Sequence, residues 1–165
     1  PFATLISLGQ KRIETRSWST SFRGTLAIHA AAGYGKGGMR AHKELCGTEP
    51  FCSVLNAACK AHYDALDKSG GVLRAMAESP FMPMGAIVAV CELVDCVPTC
   101  DDGYQTEITD GEWGFNHWHT VSDQELAFGD YSAGRYAWLL ADVRALPEPM
   151  VGKGALGLWN YEGEL

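Results

Sequence analysis

The spacing of apolar residues predicts a short helix and two strands at the start of the chain. Phe2, Leu5 and Ile6 recur at helical spacing, and Pro1 and Gly9 suit the first turn and the end of a helix. KRIETRSW (11–18) and TLAIHAA (25–31) instead show a two-residue period. We therefore expect a helix at 1–9, followed by two strands joined by a hairpin-like turn.

The middle of the chain changes to helical spacing. Residues 39–79 lack strand alternation, and 53–68 and 70–78 carry helical periodicity, which predicts a helical insertion over about 36–80 with two or three helices. GYGKGG (33–38) precedes this insertion and lacks both the spacing and the Ser/Thr of a phosphate-binding loop, so we expect a hinge there.

The second half of the chain contains two more predicted strands. GAIVAVCELVDCV (85–97) is apolar on both faces, as a central strand is, and GRYAWLLADVRAL (134–146) is the next strand. Between them we expect an acidic loop over about 100–134 with little regular structure, and after them a turn and a short strand or helix. Short strands, turns and one helical insertion predict a small α+β barrel in a single domain over 1–165.

Composition is that of an ordinary globular protein. The chain has 165 residues, of which 47% are hydrophobic and 20% are charged. The apolar runs are shorter than the roughly 18 residues of a membrane helix, and a secretory signal is not recognised. Six cysteines without a CxxC pair indicate reduced thiols, so we expect a cytoplasmic protein without membrane contact and without a cofactor.

Charge is distributed unevenly along the chain. The net charge is -7, which argues against general binding of polyanions. Residues 1–43 nevertheless hold seven basic residues against one acidic residue, whereas the remainder holds six basic and nineteen acidic residues. A basic N-terminal third on an acidic body suits local binding of one anion while it limits non-specific binding.

The most unusual pattern lies in the first predicted strand, where Glu14, Arg16 and Trp18 share one face. Arg16 suits a phosphate, Trp18 suits stacking on a base, and Glu14 suits an exocyclic amine, so together they indicate a nucleotide site. The alternative is an internal ion pair, Glu14–Arg16 or Lys11–Glu14, capped by Trp18. Spacing alone leaves both interpretations open.

These residues also carry a resemblance to a known family. The run GQKRIETRSW followed by RGTLAIHA resembles the ASCH domain, whose motif reads Gly-x-Lys-x-x-Glu-x-Arg-x-Trp and then Arg-Gly-x-Leu-x-Ile-His. The matching positions here are Gly9, Lys11, Glu14, Arg16, Trp18, Arg23, Gly24, Leu26, Ile28 and His29. Later blocks at 83–96, 134–140 and 153–159 are also similar to the family.

The resemblance implies a PUA-like β-barrel whose motif residues line a ligand cleft. It also implies binding of RNA or another nucleic acid. The alternative function is that of one branch, an amidohydrolase that removes acyl groups from the N4 amine of cytidine nucleosides. That branch has a Lys at the position of Lys11 and a Thr three residues later, where this chain has Glu14.

The candidate site residues follow from these arguments. The expected nucleotide- or RNA-binding residues are Lys11, Glu14, Arg16, Trp18, Arg23, His29 and Lys153. If the protein is an enzyme, the expected catalytic residues are Lys11, Glu14 and Glu92, with Glu92 desolvated among apolar neighbours. The structural alternatives are a solvated Lys11, an outward Glu92 and a satisfied structural His29.

The expected partners are RNA, a single-stranded nucleic acid or a free modified nucleoside. A protein partner at the helical insertion is a further option. His117 and His119 share a face of any strand through HWH, but they lack a third ligand at a known spacing, so no metal site is expected.

Overall fold

A computed structural model describes residues 1–33, 38–67, 82–101, 103–108 and 115–163. The central residues of the predicted hinge and the helix predicted at 70–78 lie outside these ranges. The side chains of residues 39, 62–67, 104–108 and 115–119 also lie outside the described part of the structure. The prediction that His117 and His119 form no metal site therefore stays a prediction.

The described chain contains helices and strands of very different length. In chain order the elements are α1 (Phe2–Ser7), β1 (Ile13–Arg16), β2 (Gly24–Ala30), α2 (Gly38–Cys46), α3 (Phe51–Asp67), β3 (Ala86–Cys100), β4 (Gly103–Ile108), β5 (Phe115–Thr120), α4 (Asp123–Ala127) and β6 (Tyr136–Val151). The predicted α+β class is therefore confirmed, as are a helix at the N-terminus and helices after β2.

The sheet is open in the part of the chain that the structure describes. Its strand order is β1-β6-β3-β4-β5, and β2 also pairs with β3. The pairs β1–β6, β3–β4 and β4–β5 are antiparallel. A closed barrel needs a pairing between the two ends of this path, β1 and β5, and the strand order contains none. The predicted barrel is therefore not observed.

The acidic stretch is more regular than its composition suggested. The acidic composition predicts little regular structure over about 100–134, but β4 and β5 form a hairpin whose register runs from Gly103↔Thr120 to Ile108↔Phe115. A helix, α4, follows it, because the Ser122 side chain accepts a hydrogen bond from the Glu125 N–H and caps the first turn. Of the acidic residues in this stretch, Glu107 alone lies within β4 or β5, so the acidity of the stretch does not oppose their pairing.

The chain divides into two compact units. The first unit contains Pro1–Gln10, Ala27–Val90 and Arg144–Leu165, and the second contains Lys11–Leu26 and Cys91–Val143. Large buried residues of the first unit are Leu5, Phe51, Leu55 and Ile87, and those of the second are Leu93, Phe128, Tyr131 and Trp138. No helix within the described ranges is long and apolar enough to cross a membrane.

Within the first unit, His29 anchors the C-terminal segment. The His29 Nε2 atom lies 2.9 Å from the carbonyl oxygen of Gly152, and its ring meets Trp159 edge-on with centroids 6.1 Å apart. Gly154 approaches the ring so closely that an added Cβ would lie 2.5 Å from a ring carbon. The structural role that we considered for His29 therefore accounts for its contacts.

We expect Gly154→Ala to lower the free energy of unfolding by about 1–3 kcal/mol, because the new methyl group overlaps the His29 ring. Urea unfolding measures the change. Gly152→Ala is the matched control, since a Cβ there meets nothing within 4 Å. Equal losses in the two variants would mean that the His29 contact is not the cause.

Candidate functional site

Lys11 is buried immediately before β1, in the second unit. Its side chain is 1% exposed, which places it among the largest fully buried side chains of the described chain. The ammonium donates a hydrogen bond to the carbonyl oxygen of Ile13 and lies 3.6 Å from Glu14 Oε2. The alternative of a solvated surface lysine is therefore wrong.

Burial determines the titration of Lys11. Loss of water lowers the pKa of the ammonium below its ordinary value, while the carboxylates of Glu14 and Glu125 oppose this effect and raise it. The guanidinium of Arg16 lowers the pKa further. A lysine with a lowered pKa is suited to proton transfer as well as to hydrogen bonding.

Glu14 joins the buried lysine to a more exposed arginine. Its Oε1 atom lies 3.2 Å from Arg16 Nε, while Oε2 faces Lys11. Arg16 remains 49% exposed. The internal ion pairs that we considered as an alternative are thus present, and they hold the guanidinium in place without covering it.

Trp18 is fixed by a second tryptophan on β6. The rings of Trp18 and Trp138 meet edge-on at 87° with centroids 4.7 Å apart, and Trp138 Nε1 donates to the carbonyl oxygen of Trp18 at 3.3 Å. Trp138 is 4% exposed and lies opposite Glu14 in the β1–β6 register, whereas Trp18 is 36% exposed. An aromatic side chain that is held by a buried partner and remains partly open is suited to stacking.

Glu125 is a member of the site that the sequence did not identify. It lies on α4, and its Oε1 accepts the N–H of Arg12 at 2.5 Å. Burial raises the pKa of its carboxyl group, while the Arg12 N–H and the charge of Lys11 lower it. The only signal in the sequence is the Ser-x-x-Glu pattern at 122–125, which marks a helix start and does not point to Lys11.

Arg23 and Glu92 have partners of their own. Arg23 Nη2 lies 2.6 Å from Asp95 Oδ1, and Nη1 donates to the carbonyl oxygens of Thr20 and Phe22. Glu92 Oε1 accepts the Thr25 hydroxyl at 2.6 Å. Arg23 therefore fixes the turn before β2, and the Thr25 hydroxyl is the partner that the structure gives to Glu92.

Thr15 faces away from Glu14 and Arg16. Its hydroxyl oxygen accepts the N–H of Asp130 at 3.0 Å, and its carbonyl oxygen accepts a hydrogen bond from Arg135. The side chains of β1 thus divide into a charged face and an anchoring face.

Two further predicted residues are not part of the second unit. His29 and Lys153 belong to the first unit, and Lys153 is exposed. The described residues include no group of three His, Cys, Asp or Glu side chains that suits a metal ion. The structure thus brings Lys11, Glu14 and Arg16 into one cluster in the second unit.

The family model of the ASCH domain matches residues 1–150, a range that includes β1, α4 and every candidate residue except Lys153. No curated protein matches the chain.

The lowered pKa of Lys11 predicts a pH-dependent stability. Between the folded and unfolded pKa values the unfolded state binds more protons, so the free energy of unfolding rises with pH in that window. The window ends at about 10.4, the ordinary value for lysine. We expect wild type to gain stability relative to Lys11→Met as pH rises through it, as measured by urea unfolding. The control variant is Lys43→Met, because Lys43 is exposed. If the stability difference between wild type and Lys43→Met rises with pH as steeply as the difference between wild type and Lys11→Met, the assignment to Lys11 is contradicted.

Proposed function

Since the chain belongs to the ASCH domain family, we propose that it binds RNA or a nucleotide through Lys11, Glu14, Arg16 and Trp18. The observation that carries this proposal is the gradient of exposure from Lys11 through Glu14 to Arg16, beside the partly exposed Trp18. Lys11 is 1% exposed, Glu14 24% and Arg16 49%, and Trp18 is 36% exposed. The proposal includes the PUA-like cleft that the family resemblance implies.

The gradient suggests how a nucleotide is oriented. Arg16 takes the phosphate, because it is the exposed cation of the cluster and its planar guanidinium suits paired hydrogen bonds to oxygen. Trp18 stacks on the base. Lys11 takes a neutral acceptor such as a base carbonyl, because two carboxylates already face its charge.

The charge of the chain favours a short ligand. With a net charge of -7, a long polyanion meets repulsion outside the site, whereas a nucleotide or a single-stranded end places few phosphates there. Arg16 supplies the local attraction.

Fluorescence anisotropy with a labelled single-stranded RNA of four nucleotides tests this proposal. We expect Arg16→Gln to weaken binding and to reduce the slope of log K against log salt by about one. We expect Trp18→Ala to weaken binding about tenfold or more, since stacking contributes about 1–3 kcal/mol per base.

The control for charge is Arg40→Gln, which removes one cation from a residue that is 88% exposed and pairs with Glu44 on α2. Affinities that fall equally in Arg16→Gln and Arg40→Gln would assign the effect to net charge and contradict a site at Arg16.

A second candidate function rests on the burial of Lys11 beside Glu14. In the amidohydrolase reaction, a water oxygen bonds to the acyl carbon of an N4-acylated cytidine and the bond from that carbon to N4 breaks. A water proton passes to N4, which gives cytidine and a carboxylic acid. Glu14 would accept the water proton, and Lys11 would stabilise the oxyanion.

The position of Thr15 restricts this second candidate. Its hydroxyl faces Asp130 and not Glu14, so we propose no threonine nucleophile. Glu92, the other predicted catalytic carboxylate, accepts the Thr25 hydroxyl through Oε1, and we assign it no step in this reaction.

Incubation with N4-acetylcytidine, followed by mass spectrometry for cytidine, tests the hydrolase. We expect turnover in wild type and a loss of at least a hundredfold in Lys11→Ala, because the only buried ammonium of the cluster is removed. Lys43→Ala is the control for a lysine lost from the surface. If wild type at high concentration releases no cytidine, this substrate is rejected and the binding function remains.

A further inference from the structure

Glu125 occupies the third helical position after a serine cap, but its carboxylate does not complete the usual capping arrangement. In a capping box, the glutamate of a Ser-x-x-Glu sequence bonds back to the N–H of the serine. Here the Ser122 oxygen accepts the Glu125 N–H, whereas Glu125 Oε1 accepts the N–H of Arg12, 113 residues away in sequence. The carboxylate therefore anchors the backbone of the segment before β1.

The second carboxylate oxygen of Glu125 is buried. Oε2 has almost no contact with solvent and has no hydrogen-bond partner of normal geometry. A buried carboxylate is costly unless charges or N–H groups compensate it. The Arg12 N–H, the charge of Lys11, the Ile13 N–H and the Arg12 guanidinium each lower the pKa of this carboxyl group and so compensate its burial.

We propose that Glu125 is the positioning residue of Lys11: by accepting the Arg12 N–H it holds the backbone of residues 11–13, and its negative charge helps to keep the buried Lys11 ammonium in place. The inference rests on the proposed function in so far as Lys11 contacts the ligand. Glu14 lies on β1, three residues after Lys11, whereas Glu125 comes from α4. The buried ammonium is thereby matched by anions from two elements.

The charged groups around the pair are defined. Glu14, Glu125 and Arg16 act on Lys11, and Lys11 and Arg12 act on Glu125. Because Lys11 brings one positive charge against two carboxylates, its ammonium donates to an uncharged carbonyl oxygen more readily than it attracts a phosphate. Glu125 thus favours contact of Lys11 with the base of a nucleotide over contact with its phosphate.

The substitution Glu125→Gln separates two effects of Glu125, namely its charge beside Lys11 and its hydrogen bond, which anchors α4 to the segment before β1. The glutamine oxygen still accepts the Arg12 N–H, so the anchor is kept, while the negative charge beside Lys11 is lost. The matched control is Asp123→Asn, which removes one negative charge from an exposed residue of the same short helix.

The first readout is the titration of the Lys11 side chain by NMR in the protein without ligand. We expect Glu125→Gln to lower the pKa of Lys11, because the carboxylate that raises it is gone, and Asp123→Asn to leave it unchanged. An unchanged Lys11 titration in Glu125→Gln overturns the inference, whether or not any ligand binds.

The second readout is the affinity for the labelled four-nucleotide RNA across pH. We expect Glu125→Gln to bind about tenfold more weakly and to lose affinity at a lower pH than wild type, in parallel with the Lys11 titration. If wild type does not bind this RNA, the proposed function fails, and the free-protein titration still decides the role of Glu125.

A second variant covers the case in which Glu125→Gln does not fold. In Lys11→Met the Glu125 carboxyl group loses its cation, so we expect its pKa to rise above the wild-type value, as measured from its carboxyl carbon. A Glu125 titration that is the same in wild type and Lys11→Met overturns the inference.

Discussion

Removal of the Lys11 ammonium from water is the constraint on which the site depends. A buried charge is costly unless it is paired and hydrogen-bonded. Here a carbonyl oxygen of the adjoining strand and two carboxylates compensate it. One carboxylate belongs to β1 and the other to α4, so the strand and the short helix must both form before the lysine is satisfied. The pairing of these charges and the folding of this part of the second unit therefore depend on each other.

The two interpretations of the motif describe one arrangement. An internal ion pair and a ligand site both make use of Glu14 and Arg16. The structure gives each group a different degree of exposure, so that the inner charges are paired while the guanidinium of Arg16 and the ring of Trp18 remain accessible. Internal pairing restricts the rotamers of Arg16, so that its side chain loses less conformational entropy when it contacts a ligand.

Periodicity predicted the parts of the fold in which local spacing determines the outcome. It placed α1, β2 and β3, and it put Glu14 and Arg16 on one face of a strand. The sequence did not decide whether Lys11 is buried or exposed, because the residues that bury its side chain cannot be identified from its neighbours in sequence. Glu125 was missed because its hydrogen bond to Arg12 spans 113 residues. The β4–β5 hairpin was missed because net acidity was given more weight than alternation, and barrel closure depends on pairings between distant strands.

The four residues of β1 also limit how this chain can change length. Glu14 and Arg16 lie on one face, while Thr15 on the other holds the backbone of Asp130. Each residue is matched to β6, with Glu14 opposite Trp138. Gain or loss of one residue here exchanges the two faces, which would turn the charged groups towards the anchor and the hydroxyl towards the ligand side. Substitutions alter one group at a time, whereas a single-residue insertion or deletion removes both functions together, so this strand is expected to keep a fixed length among related chains that share the site.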